Sequence, residues 1–140
     1  MLIQVHEHIV SELQQNARTD TIFVVTAIIF NLIVLGINSG VAGAAASEDG
    51  GAGSDLILVV FIIMSLLVNT IAIVALNSGK SNREKLIQGL LNMYRDNEVD
   101  QYYDASLKGG YGKRYLLFTG VILCLGLTSI IVPLIIRIMV

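Results

Sequence analysis

Residues 56–76 read LILVVFIIMSLLVNTIAIVAL, twenty-one positions without one ionised side chain. A helix rises about 1.5 Å per residue and a bilayer core is about 30 Å thick, so a run of this length crosses it once. Two more stretches behave alike: 21–37, TIFVVTAIIFNLIVLGI, and 115–136, YLLFTGVILCLGLTSIIVPLII. A charge at mid-bilayer costs on the order of 3 kcal/mol even on lenient scales, so the lack of charges in all three is informative. The first run, at 17 residues, is short, and Thr19 and Asn38 can extend it.

The whole chain fits this reading. Of 140 residues, 54% are hydrophobic and 14% charged, with a mean hydropathy of +0.73, which is too apolar for a soluble domain of this size. One proline and one cysteine exclude collagen-like and disulfide-stapled classes, and a net charge of −2 argues against nucleic acid as a partner. The expected fold is therefore an all-α integral membrane protein with three transmembrane helices.

Lysine and arginine set the expected orientation. The segment 38–55 has none, whereas 77–114 has Lys80, Arg83, Lys85, Arg95, Lys108, Lys113 and Arg114. The positive-inside rule puts the second segment in the cytoplasm, the N-terminus inside and the C-terminus outside. Arg18 agrees with this and Arg137 is a minor exception. All five tyrosines (Tyr94, Tyr102, Tyr103, Tyr111 and Tyr115) fall in or beside the cytoplasmic segment, where a ring can be buried while its hydroxyl stays wet. Lys80, Arg83, Lys85, Lys108, Lys113, Arg114, Tyr111 and Tyr115 are thus the candidates for contact with the inner leaflet, preferentially with anionic lipid.

The pieces outside the spans read as follows. In residues 1–20, Leu2, Val5, Ile9 and Leu13 follow helical spacing, which predicts an amphipathic helix on the inner leaflet, running into the first span. The start lacks the basic region of a secretory signal, so a retained signal anchor is expected. Residues 38–55 are rich in Gly, Ala and Ser and read as a flexible acidic outer connector. Within 77–114, Ser81-Asn-Arg-Glu84 fits a capping box, followed by an apolar face of Leu86, Ile87, Leu90, Leu91, Met93 and Tyr94. Asp96 or Asn97 can start a second short helix that Gly109-Gly110 would stop. Residues 137–140 form an outer C-terminus.

Chemistry-bearing residues are scarce. No nucleophile elbow, zinc-binding HExxH, CxxC or nucleotide-binding glycine motif occurs. His6 and His8, two apart, point to different sides of a helix and would not clasp a metal together. Cys124, alone within a span, reads as a small packing residue. Gly109-Gly-Tyr-Gly112 before Lys113-Arg114 could cradle a phosphate, but no strand precedes it, and a helix stop leading into a basic membrane entry explains it more simply. Neither cofactor nor metal is expected, and catalysis ranks last.

The in-span polar residues carry more meaning. Asn31 and Asn69 sit near mid-span, where an unsatisfied amide costs several kcal/mol. Ser65, Asn69 and Ala72 share one face of their span. In the last span Gly120, Cys124 and Thr128 share one face and Gly126, Ser129 and Pro133 another. Such stripes let membrane helices approach and hydrogen-bond. The residues named as packing or pore-lining candidates are Asn31, Ser65, Asn69, Gly120, Cys124, Thr128, Ser129 and Pro133. They suggest a non-catalytic subunit that oligomerises or joins a larger membrane complex, with a homo-oligomeric pore or small transporter as the alternative. Small size and the clean charge asymmetry favour a prokaryotic plasma membrane.

Overall fold

Three helices account for nearly all of a computed structural model that describes residues 1–47, 52–104 and 106–139. Helix α1 spans Leu2–Ala46, α2 Ala52–Asp96 and α3 Ser106–Met139, with a single 3-10 turn at Asp100–Tyr102. Each is long and apolar enough to cross a membrane.

The buried positions explain how they pack. In α1 these are Asp20, Val24, Ala27, Asn31, Val34, Asn38, Ala42 and Ala45. In α2 they include Ser65, Asn69, Ala72, Leu76 and Gly79, and in α3 Tyr115, Ile122, Gly126, Ser129 and Pro133. Steps of three, four and seven run along the seams, close to the 3.5-residue repeat of helices that interlock side chains along a left-handed crossing. Many seam residues are small, so the backbones lie close. The opposite faces expose Ile29, Leu32, Ile33, Leu66, Leu67, Val74, Leu123 and Leu127, an apolar exterior suited to hydrocarbon rather than water.

Partner pairs fix the register. Asn31 bonds Asn69, Asn16 reaches the Gly79 carbonyl, and His6 meets Tyr94. Residue numbers rise along α1 as they fall along α2, so these two helices pair antiparallel without a slip. Tyr115 with Asp20 and Ser129 with Asn31 place α3 parallel to α1. At one end of the bundle lie the N-terminus and the α2–α3 connection, here called the proximal end; the α1–α2 connection and C-terminus lie at the distal end. There Arg137 donates to Asp55 from Nε at 2.8 Å and from Nη2 at 3.2 Å, tying the end of α3 to the start of α2.

Several expected boundaries are corrected. Residues 1–20 and the first span form one helix, α1 running unbroken from Leu2. Much of the expected flexible connector is helix, up to Ala46. Alanine is the best helix former, and Asn38, Ala42 and Ala45 continue the buried seam. Glu48 and Asp49 lie outside the described residues. The Ser81–Glu84 capping box is not used either, since both residues lie inside α2. Gly79, just before it, serves as a contact: a Cβ there would press on the Asp20 carboxylate, 3.0 Å from Cγ. Gly109 and Gly110 do not end a helix but lie within α3.

Asp96 and Asn97 close α2 instead of opening a second helix. The Val99 N–H bonds the Tyr94 carbonyl at 3.0 Å and the Glu98 N–H the Arg95 carbonyl at 3.1 Å, with Glu98 left-handed at φ 57°. This is a Schellman closure with glutamate in the position that usually holds glycine. The α3 helix then starts where Asp104 Oδ1 accepts the Ser106 N–H at 2.8 Å. That bond favours the ionised carboxyl and holds Asp104 below its usual range.

The two long helices outrun a bilayer. At 45 residues each they extend about 68 Å, against a core of about 30 Å. On the proximal side Ile9 and Leu13 of α1 are half-buried and Ile87 and Leu90 of α2 are buried. The apolar faces of these two segments therefore cover each other, and α1 and α2 leave the apolar region as a pair.

Candidate functional site

Four of the singled-out residues converge in mid-bundle. Asn31 and Asn69 exchange amide bonds: Asn31 Nδ2 donates to Asn69 Oδ1 at 2.7 Å, and Asn69 Nδ2 returns to Asn31 Oδ1 at 2.9 Å. Their second N–H bonds go to the carbonyls of Ala27 at 2.9 Å and Ser65 at 2.7 Å. The Ser65 hydroxyl lies 3.3 Å from Asn31 Oδ1 and 3.1 Å from the Ser129 hydroxyl. Ser129 in turn reaches the Gly126 carbonyl at 2.9 Å. Every amide hydrogen has an acceptor, so the group costs little desolvation that is not recovered.

The cluster is dry. Asn31 is 1% exposed, Ser65 and Ser129 are 0% and Asn69 is 9%. Gly126 makes the closeness possible, because a Cβ there would stand 2.9 Å from Asn69 Nδ2. Pro133 is fully buried further along the same α3 seam. The other expected face of α3 turns outward: Gly120 and Cys124 are exposed, and the half-buried Thr128 donates to the Cys124 carbonyl of its own helix at 2.8 Å. Gly120, Cys124 and Thr128 thus do not join the intramolecular seam. Two stripes of small residues cannot both face the α1–α2 pair, and Ser129 has the polar partners.

Asn38, one heptad beyond Asn31 on the same seam, is 0% exposed, and neither its Oδ1 nor its Nδ2 has a partner among the described residues. Such an orphan amide weakens the distal part of the bundle.

A second, charged cluster lies at the proximal border of the apolar region, where Asp20, Tyr115 and Arg83 meet. The Tyr115 hydroxyl donates to Asp20 Oδ2. Arg83 lines the same cavity as that hydroxyl. Its guanidinium stacks 3.7 Å over the Tyr111 ring. Arg83 Nε is buried with no acceptor among the described residues. A cavity of about 110 Å³ opens here, with Arg114, Thr21 and Phe118 also in its wall. A smaller cavity of about 30 Å³ adjoins it, lined by Lys80, Arg83 and Tyr111. Of the basic residues expected at this level, Arg83, Arg114 and Lys80 gather around the two cavities. Lys85 instead lines a polar groove between α1 and α2, with Glu12 and Asn16. Lys113 is exposed, and the Lys108 side chain lies outside the described residues.

Asp20, Asn38 and Gly79 were not singled out from the sequence as site residues, whereas Gly126 was read there on the same small-residue face as Ser129. Asp20 sits at the edge of an apolar run, where nothing in spacing separates a solvated carboxylate from a buried one. A place on the 3.5-residue repeat beginning at Asp20 is the signal that would have found it.

At the open, proximal end of the α1–α2 pair, His6 Nε2 and the Tyr94 hydroxyl are 3.1 Å apart, and Tyr94 lies beside Tyr103. Burial pushes the Tyr103 phenol up from its usual value. Among the described residues no group of three or more His, Cys, Asp or Glu side chains is placed to hold a metal. Compared with known protein families, curated proteins and solved structures, the chain matches none.

Proposed function

We propose that this chain is a non-catalytic, multi-pass membrane subunit that anchors a rigid helix pair at the cytoplasmic face and associates with further copies or with a larger complex. The observation that supports it is the unbroken α1–α2 pairing from the mid-bundle asparagines to His6 and Tyr94. A paired rod that outruns a bilayer is a means of presenting a surface at a fixed height. The orientation, N-terminus inside and C-terminus outside, follows from the lysine and arginine distribution. A prokaryotic plasma membrane suits the same distribution, with anionic inner-leaflet lipid around Lys80, Lys113 and Arg114.

Asn31, Ser65, Asn69 and Ser129 satisfy one another within one chain, which supports reading these polar faces as packing inside the bundle. Contact between copies falls instead to outward stripes such as Gly120, Cys124 and Thr128. That stripe also favours a second reading, a homo-oligomeric pore, in which it would pack copies around a shared axis.

The deciding experiment pairs the protein-only mass in mild detergent, by light scattering, with ion flux from liposomes. A mass of several chains, or of one chain with a partner, and no flux is the expected result. A lone 15.1 kDa species that neither self-associates nor binds a partner overturns the subunit reading. Flux from a ring of four or more copies favours the pore.

A further inference from the structure

The charged cluster at the proximal border is a built cavity. Its position is informative, since Asp20 and Thr21 begin the apolar run of α1 and Tyr115 begins that of α3. In a chain read as spanning the bilayer, this is the level of the headgroups, so the argument rests on that reading. The walls combine two guanidinium groups with phenols on one side and Phe118 toward the hydrocarbon.

Arg83 is held in an orientation that suits an anion. Tyr111 supports the flat face of its guanidinium, and Arg83 lines the cavity wall. A guanidinium carries five N–H donors in a fixed fork that matches two oxygens of a phosphate. Arg114, on α3, is exposed on the same wall and supplies a second positive charge. Asp20 offsets part of this charge, but its carboxylate is already engaged by Tyr115. Lys80 beside the adjoining cavity adds charge, against Glu84 in the same wall. A cavity of about 110 Å³ has the volume of three to four waters, roughly the room that four phosphate oxygens take up.

We propose that Arg83, Tyr111 and Arg114 bind the phosphate of one anionic phospholipid per chain, its acyl chains running past Phe118. Inorganic phosphate shares this chemistry, and the site's level in the membrane selects the lipid. The lipid then fills the crevice between α1 and α3.

Native mass spectrometry of the full chain, released from detergent after titration with phosphatidylglycerol, tests this. One retained lipid per chain is expected. Arg83→Gln and Arg114→Gln should each lower occupancy about tenfold, the scale of one lost charge-assisted contact. Arg95→Gln, at the open end of the α1–α2 pair, should leave it unchanged. Helical circular dichroism and melting of each variant report folding, and the exposed Arg114 decides if Arg83→Gln does not fold. Equal loss in Arg95→Gln, or no loss in Arg114→Gln, overturns the site while leaving the membrane reading intact. Displacement of the lipid by millimolar inorganic phosphate reassigns the site to soluble phosphate and overturns the lipid proposal. A chain that stays dispersed and helical without detergent or lipid overturns the membrane reading itself.

Discussion

Asn69 and Asn38 occupy the same kind of environment and should respond to substitution with opposite signs. Asn69→Leu strips Asn31 of its reciprocal partner and should lower stability by about 1–2 kcal/mol, the range for a buried amide losing a hydrogen bond in a membrane bundle. The double change Asn31→Leu with Asn69→Leu should cost less than the two single changes added, because each single change orphans the other amide. Asn38→Leu should raise stability by about 1–3 kcal/mol, since both of its polar atoms are already without partners. Reversible unfolding in mixed micelles, followed by circular dichroism, reads all four proteins, and a stabilising Asn69→Leu would contradict the amide exchange. Asn31, Ser65 and Asn69 were legible in the sequence because amides in an apolar run must find partners. Asp20 and Asn38 stand at the margins of their runs, where the same logic gives no answer.

The elements were legible in number but not in extent. Three apolar runs give three helices, yet all three extend into the flanking segments. Punctuation residues misled here because each has another use: Gly79 admits Asp20 and Asn16, while Asp96 and Asn97 close a helix instead of opening one. The closure of α2 places Glu98 at φ 57°, and glycine reaches this region without the Cβ penalty. Glu98→Gly should therefore stabilise this end of α2 by about 1 kcal/mol, read as slower amide exchange at Val99. The start of α3 depends on pH. Because its folded-state pKa is depressed, Asp104 stabilises this start above its ordinary pKa, near 3.8, and loses the effect as pH falls through the lowered value. The Ser106 amide resonance should shift over that acid range, and Asp104→Asn should abolish the titration.

For the whole molecule, the proposed orientation makes a direct prediction. In a Cys124→Ser background, Ser47→Cys should react with a membrane-impermeant maleimide added to intact cells, whereas Asn92→Cys should react only after the membrane is opened. The reverse pattern inverts the orientation, and labelling of both from outside removes a span. The outward apolar surface was legible from composition, whereas the choice between the two small stripes of α3 was not, because it depends on which face meets the other helices. The reciprocal amides also bear on the order in which the protein is made. All four amide hydrogens of Asn31 and Asn69 find acceptors on α1 and α2, and α3 contributes only the Ser129 hydroxyl. The first two helices can therefore leave the ribosome and enter the lipid as a self-sufficient pair before the third has been synthesised, leaving α3 to dock against a finished surface.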